Sequence, residues 1–114
     1  MIKSVNFTKK DEVNAVSATP LQQAKDEQMT LLGAAITERE DKDTGENIRV
    51  GLLSTKEHGT MSTISGTALK SLDIIIDYMS DFAPEDPEVK DGIPVHVKVG
   101  KSNAGREFIT LELL

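Results

Sequence analysis

Two histidines, a short acidic turn and a glycine-flanked loop are the places where this chain could carry chemistry. His58 and His96 could ligate a metal or act as a general base. Neither has a partner at metal-ligand spacing, and no defined third ligand joins them, so they read as ordinary polar side chains. Asp41, Asp43 and Gly45 carry part of a calcium-loop pattern, but the run is too short and lacks the closing bidentate glutamate. It reads as a turn. Gly100 to Gly105 has no Gly-Lys-Ser/Thr opening a helix, so it is not a phosphate loop. No nucleophile, base and orienting group assemble. The expectation is a protein that is not an enzyme, with no catalytic residue, metal or cofactor.

Binding chemistry is better represented. Arg39, Arg49, Lys56, Lys98, Lys101 and Arg106 fall on strand faces and in loops, where cations along a line could track a phosphate backbone. Arginine can also stack on a base. The competing reading is that these cations solvate outer strand faces and pair with Glu38, Glu40 and Glu46. Phe108 alternates onto the face opposite Ile109 and Leu111, where it either stacks a base or packs beneath the acidic loop or the N-terminal arm. Phe7 either pins that arm or contacts another subunit. Tyr78 and Phe82 read as helix packing.

The elements that must position these groups follow from apolar periodicity. Residues 1–18 are polar without a sustained period and read as a loose arm, with one short strand within Ile2–Phe7 at most. Thr19-Pro20 offers a helix start for about two turns over Leu21–Gln28. Met29–Thr37 is a strand in which Gly33 allows a sharp bend or a close backbone approach. A turn at 41–46 leads to Ile48, Val50 and Leu52, which alternate as in a half-buried strand. Thr60–Ser65 is a third strand. Leu69, Leu72, Ile75, Ile76 and Met79 then form a helical stripe over Thr67–Phe82, stopped by Pro84 and Pro87. Ile93, Val95, Val97 and Val99 alternate in a fourth strand, and Ile109, Leu111 and Leu113 in a fifth, joined by a hairpin loop at 101–105.

The composition sets the frame around those elements. The chain has 114 residues, 38% of them hydrophobic, with no cysteine and a net charge of −6. That length suits one domain with a modest core. The opening residues lack the apolar run of a signal peptide, and no stretch approaches the roughly 18 apolar residues of a membrane span. A soluble, cytoplasmic protein that does not bind membranes is expected. The acidic balance disfavours coating nucleic acid by bulk charge, though local clusters could still bind it.

Five strands with one helix between the third and fourth match an all-β barrel of the OB-fold, with the helix closing one end and 1–114 forming a single domain. OB-folds bind oligonucleotides or oligosaccharides on strands two and three and on the loops joining strands one-two and four-five.

Ala68-Leu69-Lys70-Ser71-Leu72-Asp73-Ile74-Ile75-Ile76-Asp77, then Val95-His96-Val97-Lys98-Val99 and Phe108-Ile109-Thr110-Leu111-Glu112-Leu113, resemble the C-terminal half of the small single-stranded-DNA-binding proteins of phages with protein-primed replication. Thr30-Leu31-Leu32-Gly33-Ala34 and the turn at 41–46 sit in a similar order upstream, so the resemblance spans residues 29–114. It implies an OB-fold that coats displaced single strands during phage DNA replication without sequence preference. Self-association along the strand and a host-cell cytoplasmic location go with it. Two features depart from that pattern. The family stacks bases on tyrosines of the barrel face, whereas the one tyrosine here, Tyr78, lies on the helix. The acidic partner-recruiting tail of bacterial members is not expected either, because the last strand runs to the final residue.

Two other functions fit the same layout. One is an OB-fold protein-interaction module, favoured by the acidic charge and scarce aromatics. The other is an acidic partner-binding or inhibitory protein that uses a stripe of Asp73, Asp77, Asp81, Glu85 and Asp86.

Overall fold

The apolar periods over Met29–Leu113 become one curled sheet with a helix across it. A computed structural model describes residues 2–114. The strands are β1 Lys3–Val5, β2 Thr19–Pro20, β3 Gln28–Glu40, β4 Asn47–Thr55, β5 Gly59–Thr63, β6 Ile93–Lys101 and β7 Glu107–Leu113. Helix α1 covers Lys9–Asn14 and helix α2 covers Gly66–Ser80. The sheet order is β2-β5-β4-β3-β6-β7, with β1 paired to β3 as well. Among the described residues no ladder joins the end strands β2 and β7, so the sheet is an open half-barrel. No helix among them is long and apolar enough to cross a membrane.

The curl starts at Gly33. The β3–β4 register slips between Leu31 and Gly33, and an ideal Cβ on Gly33 would stand 2.1 Å from the Asn6 carbonyl oxygen. Only glycine lets the β1 backbone lie that close. At this bulge one edge of β3 changes partner, from β6 along Gln28–Leu31 to β1 along Ala34–Ile36. The first long strand thereby bends around the core instead of lying flat.

Helix α2 closes the concave side. Ala68, Leu72, Ile75, Ile76 and Met79 are all buried, as their helical spacing requires. Gly51 of β4 lies beneath them, where an added Cβ would meet Leu72 Cδ2 at 2.9 Å and Leu69 Cδ2 at 3.1 Å. The helix also covers the free edge of β7. Thr67 Oγ1 donates to the Ile109 carbonyl (2.7 Å), and Leu111 N–H donates to Ser71 Oγ (3.0 Å). Two side chains thus satisfy backbone groups that a neighbouring strand would otherwise take.

The remaining differences lie at the start of the chain. The two-turn helix expected over Leu21–Gln28 is a single 3₁₀ turn at Leu21–Ala24, and Thr19–Pro20 pairs in parallel with β5. So short a segment gains little as a helix and is held by burying Leu21 and Ala24. The segment expected to be a loose arm carries β1, α1 and a 3₁₀ turn at Ala15–Ser17. Thr8 caps α1: Asp11 N–H donates to its Oγ1 (3.2 Å), while the Thr8 N–H donates to the Asp11 carboxylate (2.8 Å). Phe7 and Ala15 then pack on a second small cluster, Ala35, Val50 and Leu52, on the convex side of the sheet.

Candidate functional site

The register of β3 against β4 decides which cations can act together. Arg39 pairs with Ile48, and Glu38 pairs with Arg49. Paired residues share a face and successive residues alternate, so Arg39 and Arg49 point to opposite sides of the sheet. Arg49 lies on the α2 side in a shallow depression with Lys70 and Asp73, and its Nε is 4.0 Å from Glu38 Oε1. Arg39 lies on the convex side with Val50 and Leu52.

Arg39 opens into a cleft of about 650 Å³ at the gap between the two sheet ends. Its walls include Val16, Pro20, Val50, Ile64, Glu107 and Phe108. Phe108 is half-buried and lies over Gly100, its partner across β6–β7, where an added Cβ would come within 2.5 Å of the ring. Glycine at 100 leaves room for the far end of the ring against the sheet, and the half-buried Phe108 lines the cleft. Lys98 is on the same face two positions along, with its Nζ 3.8 Å from Glu112 Oε2. Lys101 and Arg106 are exposed at the β6–β7 hairpin that adjoins the cleft. The Ser102 N–H donates to the Arg106 carbonyl at 2.9 Å to close that turn. Among the described residues, Arg39, Lys56, Lys101 and Arg106 take part in no ion pair within 4.0 Å. Lys56 is remote from the others, on the β4–β5 turn, where its backbone N–H donates to the Thr30 carbonyl (3.0 Å).

The curled sheet therefore brings Arg39 and Phe108 into one cleft, with Lys101 and Arg106 beside it and Lys98 along the same β6–β7 face. Arg49 and Lys56 stand apart. The histidines are separated too: His58 Nε2 lies 3.1 Å from Glu27, and His96 Nδ1 lies 3.0 Å from Glu112 Oε1. Hydrogen bonding to His96, helped by the charge of Lys98, holds the Glu112 carboxyl below its usual range. Lys25, 3.0 Å from Glu107, lowers the Glu107 carboxyl in the same way. That carboxylate is thus an anion on the cleft wall, opposite in charge to Arg39.

The cover on the convex face is the feature that residue types alone do not reveal. Ser54 Oγ donates to Asp11 Oδ1 (3.3 Å), which ties α1 down onto β4. One local signal existed, since Thr8 followed three residues later by Asp11 is a helix-start pattern. No family model, curated protein or solved structure matches this chain.

Proposed function

We propose that this chain is an OB-fold protein that binds single-stranded DNA without sequence preference and coats it during phage-type replication. One observation carries the reading: the cleft at the open end of the half-barrel is lined by both the half-buried Phe108 and Arg39, which has no ion-pair partner among the described residues. An aromatic face and a free guanidinium are the two groups that hold an unstacked base and its phosphate. Strand order supports the OB-fold. The first long strand, β3, pairs with both the second and the fourth, and α2 connects the third to the fourth. Arg106 lies in the loop between strands four and five, one of the two loops such barrels use for ligands, and Lys101 ends strand four beside it.

The experiment is fluorescence anisotropy of a labelled oligo-dT at low salt. Phe108→Ala should weaken binding by about tenfold, in line with a stacked base worth ~1–3 kcal/mol. Arg39→Gln should weaken it less and flatten the salt dependence. No anisotropy change at tens of micromolar protein would sink the proposal.

A protein-interaction module has its own supporting observation, because the cleft is rimmed by Val16 (90% exposed) and Ile64 (61% exposed). The acidic-stripe reading is weaker. Asp73 and Asp77 each lie 2.6 Å from Lys3 Nζ, so two of its five acids are already paired within the chain.

A further inference from the structure

The convex face of β4–β5 carries two clefts, and the same stretch of chain stands between them. One, of about 430 Å³, is walled by Ser54 and Thr60 of the sheet and by Lys10, Asp11 and Asn14 of α1. The other is the Arg39–Phe108 cleft, walled by Val50, Leu52 and Ser62 of the sheet and by Ala15 and Val16 beyond α1. The β4–β5 register places Leu52 opposite Ser62 and Ser54 opposite Thr60. All four are therefore on one continuous strip of sheet, divided where Phe7, Asp11 and Ala15 cross it.

The crossing segment is lightly held between firm anchors. Upstream, β1 is paired to β3 and Lys3 is bonded to Asp73 and Asp77. Downstream, Thr19–Pro20 is paired to β5 and Leu21 is fully buried. Between them α1 buries none of its residues, and Val13 is 71% exposed. Its hold on the sheet is the packing of Phe7 and Ala15 and one hydrogen bond, Ser54 to Asp11. Asn6, with φ of +49°, marks the corner where the chain leaves β1. A segment with few buried apolar contacts opens at low free-energy cost. It also sets the carboxylate of Asp11 on the strip where a phosphate backbone would run.

We propose that residues 6–18 are a strap that competes with single-stranded DNA for the convex face. A bound strand lifts the strap, joins the two clefts into one groove from Thr60 to Phe108, and removes Asp11 from its path. This inference rests on the proposed DNA-binding function and adds an intramolecular competitor to it.

The test uses the full chain, a labelled oligo-dT and two loosening variants that change no charge. Phe7→Ala removes the packing, and Thr8→Ala removes the helix cap and leaves the sheet untouched. Each should bind at least about threefold more tightly than the wild type, because a larger fraction of molecules starts open. Val13→Ser, on the solvent side of α1, should bind as the wild type does. Oligo-dT should also speed tryptic cleavage after Lys9 and Lys10. Equal affinities for the wild type and both variants, or cleavage slowed by the oligonucleotide, would overturn the strap and leave DNA binding intact. No binding by any variant would overturn both.

Discussion

The two faces of the β3–β4–β5 sheet are both apolar and both covered, yet they are closed in different ways. On the concave face α2 lays five buried side chains over Leu53, Met61 and the residues of β6 and β7, within one large cluster. On the convex face Ala35, Val50 and Leu52 are covered by Phe7 and Ala15 alone. The first cover is a long helix locked to a strand edge by Thr67 and Ser71; the second is a six-residue helix fixed through one side-chain hydrogen bond. A small cluster with few neighbours can open while the main one stays shut. The difference assigns stability to the concave face and local opening to the convex one.

Equivalent truncations on the two faces put that contrast to the largest test. Leu72→Ala, beneath α2, should cost about 2–5 kcal/mol, since the surrounding cluster is too constrained to collapse into the cavity. Leu52→Ala removes the same atoms but should cost roughly half as much, because the strap can settle into the space. Urea unfolding of the two variants measures both values. Equal losses would mean that the convex face is as rigid as the concave one.

Gly51→Ala probes the same boundary with a smaller effect. Its new methyl group would press on Leu72 Cδ2 and Leu69 Cδ2 from below and should cost about 1–3 kcal/mol by overpacking. The expected readout is a lower urea midpoint with oligo-dT affinity unchanged. A variant as stable as the wild type would show that α2 can rise from the sheet.

Much of this contrast was legible in the sequence and part was not. The α2 stripe and the alternation in β6 and β7 stand out because each buries one face against a single large cluster, so period and burial agree. The alternation of Ile48, Val50 and Leu52 is equally clear, but a period of two does not say which side the apolar set faces. Here it faces outward, under residues some forty positions upstream. The strap itself has no period to read, since Phe7 and Ala15 supply nearly all of its packing. The separation of Arg39 from Arg49 was legible in principle. The turn at 41–46 pairs Glu40 with Asn47, and counting back one step sets Arg39 against Ile48. The seating of Phe108 over Gly100 follows from the β6–β7 pairing in the same way.

The α2 seam along β7 offers a more local test. Ser71→Ala leaves the Leu111 N–H without its acceptor in a half-buried position, which should cost about 1 kcal/mol. Hydrogen exchange would show this as faster exchange at Leu111, with amides in the strap unchanged. Faster exchange in the strap as well would mean that the two covers open together, which would end the division of labour between the faces.

The smallest effect concerns the anchor that both covers share. Lys3 of β1 reaches Asp73 and Asp77 of α2 and so fastens the upstream end of the strap to the helix on the other side. Hydrogen bonding to Asp73, then to Asp77, raises the Lys3 ammonium above its ordinary range. A group whose pKa is raised by folding stabilises the protein fully below its unfolded value, and that contribution fades as the pH climbs through the folded one. On the lysine's side the anchor is therefore intact at neutral pH and fades in alkali. Thermal melts of the wild type and Lys3→Met from neutral pH to about pH 11 should draw closer toward the alkaline end, where the wild-type lysine begins to lose its charge. The exposed location keeps the difference small. If tryptic cleavage after Lys9 and Lys10 in Lys3→Met matches the wild type at neutral pH, the strap is held by Phe7 and Ala15 without help from β1. Faster cleavage would place the upstream hinge at Lys3 instead of Asn6.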